Sequence, residues 1–538
     1  MEQEIFLQIL SKRGYKTKNQ QNRFLNPDYD RDCHDPYLLS GMNQAVSRIQ
    51  TALKKNEPIV IYGDYDVDGL CASSILYEGL RTLGAKNIEV YIPDRFKEGY
   101  GINKNALKNL AQKKCGLLIT VDCGTNAFEE IDYANKIGID VIITDHHSPN
   151  KPTPNAVAVI NPKLGNSKYP FNDLAGCGVA FKLIQALFEK FKIPAGYEKW
   201  LLDLVAIGTI CDIVELKGEN RCLVYWGIEV LKKGMRPGLR ELVKCAGLSL
   251  DDVNSKSIGF GIGPRLNAAG RIDSANLSFK LLTTKDLDEA KQLALKLDEL
   301  NSKRSKLQSE VYSDALAQYK TRSADPLVFL HSPDWHQGVI GIVASKLMEH
   351  SKKPVFIFQT FDSDQIAKGS IRSYGDFNVA EAIKFVESLL ISGGGHKHAG
   401  GCSLNVQNLD KTKKELEKFY CSLSLKQQSR YLNPEIDVKI KDFKGLSSEM
   451  LKLLQKLEPF GCGNSEPVFY IKNYRILNQK MIGSSNQHLK AVIADNNNNT
   501  YSAIGFNKNE NYFNNFELCF KFENNKFNGM NIPQLRLV

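Results

Sequence analysis

Ile59-Val60-Ile61-Tyr62-Gly63-Asp64-Tyr65-Asp66-Val67-Asp68-Gly69 sets an apolar run against a turn that carries three aspartates. A short apolar run with no polar alternation reads as a strand buried on both faces, as in parallel α/β sheets. The three carboxylates on the turn repel one another, and a divalent cation or a network of donors is what makes such crowding tolerable. Taken alone, an Asp-x-Asp pair reads as readily as a solvated turn or a helix cap. The pattern recurs, however. Leu117-Leu118-Ile119-Thr120-Val121 runs into Asp122-Cys123-Gly124-Thr125-Asn126, and Val141-Ile142-Ile143-Thr144 runs into Asp145-His146-His147. In a parallel sheet the carboxyl ends of the strands lie along one edge, where ligands bind, so the three turns converge there and favour a metal site.

Strand and helix signals alternate from Pro58 to Asn161, which predicts a doubly wound parallel α/β sheet. Leu70, Ile75, Leu76 and Leu80 mark the helix after the first acidic turn, and Gly84 closes it before the strand Ile88-Glu89-Val90-Tyr91-Ile92. From Asp173 to Leu248 the pattern is helical and includes the apolar run Leu204–Cys211, which Asp212 ends. Lys285 to Asp325 holds neither glycine nor proline and spaces Leu293, Leu297, Leu300 and Leu307 near the helical period, predicting one long connecting helix. Strand-like Leu327–Leu330 and Pro354–Phe358 then open a smaller α/β domain. That domain ends after the cluster Ser392-Gly393-Gly394-Gly395-His396-Lys397-His398-Ala399-Gly400-Gly401. The last region reads as all-β, with Asn496–Asn499 as a hairpin tip. Its aromatics Phe469, Tyr470, Tyr474 and Tyr501 suit either base stacking or core packing. The expected boundaries are a polar N-terminal segment 1–45, a first α/β domain 46–283, a connecting helix 284–325, a second domain 326–425 and a C-terminal β domain 426–538.

Composition excludes several classes. With 42% hydrophobic and 24% charged residues among 538, the chain is an ordinary globular protein of more than one domain. Seventy Lys and Arg against 60 Asp and Glu leave +10, which suits a polyanionic partner and equally a mildly basic surface. Met1-Glu2-Gln3-Glu4 is no basic leader, and no apolar run approaches the roughly 18 residues that a membrane span needs, so a cytoplasmic protein is expected. Twelve cysteines without a C-x-x-C pair, several in apolar stretches (Cys71, Cys177, Cys245), read as reduced core thiols rather than disulfides or structural zinc.

The glycine cluster lets backbone N–H groups approach a phosphate while His396 donates a hydrogen bond, although a flexible turn is the plain alternative. Gly263-Pro264-Arg265-Leu266-Asn267-Ala268-Ala269-Gly270-Arg271 and Lys368-Gly369-Ser370-Ile371-Arg372-Ser373 offer arginines among small residues, and guanidinium forks suit phosphate oxygens. With these motifs in hand, the chain closely resembles the RecJ single-stranded-DNA exonucleases of the DHH phosphoesterase superfamily. The resemblance is carried by GDYDVDG (63–69), IPDRFKEGYG (92–101), VDCGTN (121–126), DHH (145–147) and GTICD (208–212). It continues through GPRLNAAGR (263–271), WHQGVIGIVASKL (335–347), GSIRS (369–373), GGGHKHAGG (393–401) and PFGCGNSEPVF (459–469).

The resemblance implies a DHH domain carrying two metal ions, a DHHA1 domain joined by the long helix, and a C-terminal β-barrel oligonucleotide-binding (OB) fold. It implies Asp66, Asp68, Asp122, His146 and Asp212 as metal ligands, with Asp122 bridging, and Asp64 and Asp145 behind them. His147 and His396 face the scissile phosphate, Arg271, Ser370 and Arg372 receive the 5′-end phosphate, and Arg265 and Asn267 join the substrate set. Two ions roughly 3.5–4 Å apart activate water and neutralise phosphate charge, and mixed His and carboxylate ligands suit Mn²⁺ or Mg²⁺. The implied activity is 5′-to-3′ hydrolysis of single-stranded DNA to 5′-mononucleotides in repair and recombination. The implied partners are single-strand-binding protein and a RecQ-type helicase, and the chain is expected to be a monomer. Cys211, Lys397 and His398 depart from the family pattern. Two rival readings are a superfamily phosphodiesterase for short oligoribonucleotides or cyclic dinucleotides, and a non-catalytic replication scaffold. Removing residues from about 430 onward is expected to cripple long-strand degradation and to leave small-substrate hydrolysis nearly intact.

Overall fold

Runs of aliphatic and β-branched residues form β1 (Ile59–Tyr62), β2 (Ile88–Tyr91), β3 (Leu117–Val121), β4 (Asp140–Thr144) and β5 (Ala158–Ile160) in the computed structural model of the chain. The structure describes residues 1–538 other than 151, 362, 364, 424–434, 484–485, 514–516 and 528–529. The five strands are all parallel, in the order β2-β1-β3-β4-β5. The order reverses between β1 and β3, which is where an open α/β sheet leaves a crevice at its carboxyl edge. Every residue of β1 and β3 is buried, which accounts for the absence of polar alternation in their sequences.

Residues Met1–Gly263, Leu281–Ala290 and Pro434–Val538 make up one compact unit, and Pro264–Lys280 with Lys291–Asn433 the other. The expected range 46–283 is therefore divided, because the segment after Gly263 leaves the first unit and returns at Leu281. The boundary expected at 425/426 lies outside the described residues. In the first unit the helices Val67–Thr82 and Gly176–Lys190 approach closely: a Cβ on Gly79 would lie 2.3 Å from Ile184 Cδ1. Helix Leu202–Cys211 is apolar apart from Asp203 and Thr209 and is buried from Leu202 to Thr209, as a helix surrounded by others must be.

Two expectations need correction here. The N-terminal segment, read as polar and weakly patterned, forms the helices Glu2–Lys12, Lys18–Leu25, Tyr29–Asp32 and Met42–Lys55. Phe6, Ile9, Leu10 and Phe24 from it share one core with Phe443, Met450, Phe469, Phe520 and Leu535. Its apolar residues are few because a partner hundreds of residues away completes their burial. The C-terminal region is not purely β: helix Ser448–Gln455 precedes most of its strands, capped by Ser447 Oγ on Met450 N–H at 3.3 Å. The strands are β11 (Val438–Ile440), β12 (Phe469–Lys472), β13 (Arg475–Ile482), β14 (His488–Ala494), β15 (Thr500–Gly505), β16 (Glu517–Phe527) and β17 (Met530–Leu537), in one sheet ordered β11-β12-β16-β17-β15-β14-β13. Asn496–Asn499 is the tip between β14 and β15. Phe469 is fully buried in this core, Tyr474 and Tyr501 pack against it partly buried, and Tyr470 is buried beside it in sequence.

The second unit carries β6 (Val328–Ser332), β7 (Val355–Phe361), β8 (Ile366–Arg372), β9 (Ser392–Gly395) and β10 (Ala399–Asn405), ordered β6-β7-β8-β10-β9. The glycine cluster is thus a β-hairpin whose tip is His396-Lys397-His398, rather than an open loop. The connecting helix spans Leu287–Thr321, and Val311 and Ala315 bury against Trp335, Val339 and Val343. Among the described residues no helix is long and apolar enough to cross a membrane.

Candidate metal centre

At the carboxyl edge of the parallel sheet, three turns and one helix end bring the acidic residues together. The turn after β1 is closed by glycines: a Cβ on Gly69 would lie 2.7 Å from Asp64 Cβ, and one on Gly63 would lie 2.1 Å from Ser73 Oγ. Asp66 caps helix Val67–Thr82, its Oδ1 accepting from Gly69 N–H at 3.0 Å. Asp68, in the first turn of that helix, accepts from Gly176 N–H at 2.6 Å and Cys177 N–H at 2.9 Å. Those donors begin helix Gly176–Lys190, so its positive end helps to hold the carboxylate. Asp122 follows β3 with φ of 59°, and its N–H donates to Thr144 O at 3.0 Å. Asp212 ends helix Leu202–Cys211.

His146 joins these groups, with Nε2 at 3.1 Å from Asp122 Oδ1, 3.6 Å from Asp212 Oδ2 and 3.9 Å from Asp68 Oδ2. Three sets have ligand atoms within 4.8 Å of one another: Asp122, His146 and His147; Asp68, His146 and Asp212; Asp64, Asp66 and Asp122. All five residues expected as ligands are therefore brought together, and Asp122 and His146 each belong to two of the sets. Asp64, expected behind the ligands, is grouped with them. Asp145 stands behind them: its Oδ1 accepts from His146 N–H at 2.7 Å, His147 N–H at 3.1 Å and His147 Nδ1 at 2.8 Å, and its Oδ2 from Thr125 N–H at 2.9 Å. Glycines form the walls, since a Cβ on Gly176 would lie 2.7 Å from Asp122 Oδ1 and one on Gly208 2.7 Å from Asp68 Oδ1.

Burial raises Asp64 well above the usual carboxylate range, with the charge of Asp66 adding to it. Burial does the same to Asp122, helped by Asp68 and Asp66, and pushes Asp212 up to about 9, helped by the same two residues. Burial also lowers His146 to about 4, which keeps the imidazole neutral and able to donate a lone pair. Asp64 Oδ1, Asp122 Oδ1, Asp212 Oδ2 and both ring nitrogens of His146 are buried without a hydrogen-bond partner. Native interiors rarely leave so many polar atoms of one cluster unpaired, and a divalent cation would satisfy the carboxylate oxygens together with one nitrogen of the His146 ring. Oxygen donors with a single imidazole fit Mn²⁺ or Mg²⁺.

His147, its side chain 45% exposed, is the most open member of the cluster. Tyr100 OH donates to Asp122 O at 3.0 Å and lies 3.2 Å from His147 Nδ1. Sequence reasoning gave Tyr100 no role, because nothing in its spacing after β2 ties it to the DHH turn. The amide donors of Gly176 and Cys177 were equally hidden, since backbone groups leave no mark in the side-chain pattern.

The remaining expected site residues lie in the second unit. Ser370 and Arg372 sit together on β8: Arg372 Nη1 donates to Ser370 Oγ at 3.2 Å and Nε to Ser345 Oγ at 3.0 Å. Arg265, Asn267 and Arg271 lie on helix Gly263–Ile272, where Arg265 Nε pairs with Asp298 Oδ1 at 2.8 Å and Arg271 Nη1 donates to Gly338 O at 3.2 Å. His396 is exposed at the hairpin tip, its Nδ1 accepting from His398 N–H at 3.3 Å.

Three family models match the chain: the DHH family, N-terminal domain, over residues 58–209, the DHHA1 domain over 324–421, and the RecJ OB domain over 436–538. Over 503 residues the chain is 37% identical to the single-stranded-DNA-specific exonuclease RecJ of Bacillus subtilis (strain 168), an alignment covering 93% of this chain and 63% of that longer protein. To the protein of the same name from Dickeya dadantii (strain 3937) it is 32% identical over 553 residues, covering 98% of this chain and 94% of the relative. The crystal structure of RecJ in complex with Mn²⁺ from Thermus thermophilus superposes with a TM-score of 0.84 at 28% identity, covering 99% of this chain and 75% of that one.

Proposed function

This chain belongs to the RecJ family of single-stranded-DNA-specific exonucleases, and from that premise we propose that it is a metal-dependent exonuclease removing 5′-mononucleotides from single-stranded DNA, 5′ to 3′, in DNA repair and recombination. The observation that carries the proposal is the set of buried, unpartnered oxygen and nitrogen atoms on Asp64, Asp122, Asp212 and His146 at the carboxyl edge of the sheet. Asp66, Asp68, Asp122, His146 and Asp212 would hold two divalent ions, Mn²⁺ or Mg²⁺, with Asp64 beside them. The chemistry such a pair supplies when bound is acidification of water and neutralisation of charge on phosphate.

The chain's own groups do the rest. Asp145 fixes the His147 ring through Nδ1, and its hydrogen bond and charge outweigh burial to hold His147 above the usual imidazole range. In its cationic form, which Asp145 favours, the ring carries a proton on Nε2 as well and is fit to bind a phosphate oxygen or to protonate the leaving 3′ oxygen. Tyr100 keeps both the ring and the Asp122 backbone in place. Arg271, Ser370 and Arg372 receive the terminal phosphate, with Arg265 and Asn267 alongside, and His396 binds the scissile phosphate. A phosphate near Arg265 would compete with its ion pair to Asp298. The match to the RecJ OB domain favours a long strand over a small phosphodiester. We assign the chain to the cytoplasm, as a monomer that works with single-strand-binding protein and a RecQ-type helicase.

The test is digestion of single-stranded DNA labelled at either end, in Mn²⁺ or Mg²⁺, by the intact protein and by Asp122→Ala. Release of 5′-mononucleotides by the intact protein, reduced at least about a thousandfold in Asp122→Ala, is expected, since removing one ligand from a two-metal site takes away several kcal/mol of transition-state stabilisation. Loss from the 3′ end would refute the polarity, and metal-independent cleavage would refute the mechanism.

A further inference from the structure

Asp212 is the one candidate ligand at the C-terminal end of a helix, and within its own segment the residues after it are held by Ile213 N–H on Ile210 O at 3.3 Å and by Asn220 Nδ2 on Glu215 O at 3.1 Å. The next residue, Ile213, is β-branched, has φ of 62° and is 71% exposed. A β-branched residue in left-handed geometry persists only where surrounding structure imposes it. Beside the hydrogen bonds of its own segment, the stretch that follows Ile213 meets the turn of the PFGCGN motif in the C-terminal domain. Leu216 N–H donates to Cys462 O at 2.8 Å, and Leu216 is buried. Two glycines let the turn approach so closely: a Cβ on Gly461 would lie 2.6 Å from Leu216 Cδ1, and one on Gly463 would lie 3.1 Å from Glu215 Cβ.

The turn is held rigidly in its own right. Asn464, buried, donates through Nδ2 to Leu457 O and Pro459 O at 2.8 Å each and accepts from Arg13 Nη1 at 2.8 Å. Arg221, five residues beyond Leu216 and also buried, donates to Leu457 O at 3.0 Å, Glu458 O at 2.7 Å and Phe24 O at 3.1 Å. Three segments distant in sequence therefore meet at the stretch that leads away from Asp212.

We infer that the turn 459–464 of the C-terminal domain is a positioning element for the metal centre, holding the stretch 213–216 so that the Asp212 carboxylate reaches the ions. Gly461 and Arg221 are its positioning residues, and they touch neither metal nor substrate. The inference deepens the two-metal reading above and rests on it. It gives the C-terminal domain a second task besides holding a strand, because the state of that domain is felt at a ligand. By linkage the coupling runs both ways, so an ion bound at Asp212 must stabilise the turn.

Two measurements on the full-length chain test this. Hydrogen exchange of the wild type with and without Mn²⁺ is expected to slow in peptides covering 459–465, and unchanged exchange there while the acidic turns become protected would overturn the inference. Gly461→Ala, whose new methyl meets Leu216, is expected to weaken Mn²⁺ binding about tenfold, the scale of a lost supporting contact behind a ligand, as read by the electron paramagnetic resonance signal of free Mn²⁺. Gly505→Ala is the control, since its Cβ would meet Lys508 Cβ at 3.0 Å, away from the turn, and it should bind Mn²⁺ like wild type. Equal weakening in both variants, or a folded Gly461→Ala with wild-type binding, would overturn the inference. If Gly461→Ala does not fold, the exchange experiment decides alone. A wild type that shows the exchange coupling but no nuclease activity would sink the functional reading and leave this one standing.

Discussion

Asp122 occupies left-handed backbone that an aspartate adopts more readily than a β-branched residue, and that single turn of the chain sets it among two of the ligand sets. Most of the carboxylates were legible in the sequence because they follow apolar strands whose parallel direction delivers their ends to one edge, whereas Asp212 follows an apolar helix. Tyr100 and the amides of Gly176 and Cys177 were not legible, because their roles depend on where loops and helix ends arrive in space. His396 and His398 share the hairpin tip, and the departure at His398 leaves open from sequence which ring acts on phosphate. In the hydrogen bond from His398 N–H, His396 Nδ1 is the acceptor, which places the proton of the neutral ring on Nε2 and suits the role of phosphate donor proposed for His396. His396→Ala is therefore expected to lower kcat on single-stranded DNA by roughly 100-fold, the worth of one positioned donor to developing charge. His398→Ala should stay within about threefold of wild type, and steady-state rates in the reverse order would reassign the role.

Helices Val67–Thr82 and Leu202–Cys211 carry Asp66, Asp68 and Asp212 at one end, and their opposite stretches are tied by one guanidinium. Arg236, 7% exposed, pairs with Asp203 at 2.9 Å and Glu78 at 2.7 Å, and donates to Leu282 O at 2.7 Å. Removing one partner from a buried ionic network leaves charges without compensation, so Arg236→Met should cost about 3–5 kcal/mol in urea unfolding. A loss below about 1 kcal/mol would mean that water reaches the cluster and screens it. Among the elements, the long helix was predictable because a stretch without glycine or proline keeps its leucine period throughout. The helix Ser448–Gln455 was not, being short and set in a region otherwise rich in strand signals. The glycine hairpin escaped too, since residues without side chains show no alternation by which a strand can be recognised.

At the scale of the molecule, the core that joins Phe6, Ile9, Leu10 and Phe24 to the C-terminal strands alters what truncation should do. Deleting 434–538 alone strips the cover from those side chains, so the fragment is expected to aggregate or to lose its N-terminal helices, rather than to survive as a clean small-substrate enzyme. Deleting residues 1–27 as well removes the stranded apolar surface, and light scattering at equal concentration should find the fragment 28–433 the better behaved of the two. The opposite ranking would show that the N-terminal helices find other burial. The same shared core bears on synthesis. At roughly 5–20 residues per second, the helix Glu2–Lys12 leaves the ribosome tens of seconds before the strands that bury it exist. That helix is therefore made long before it can be covered, and in that interval it is exposed to whatever in the cell binds unburied apolar helices.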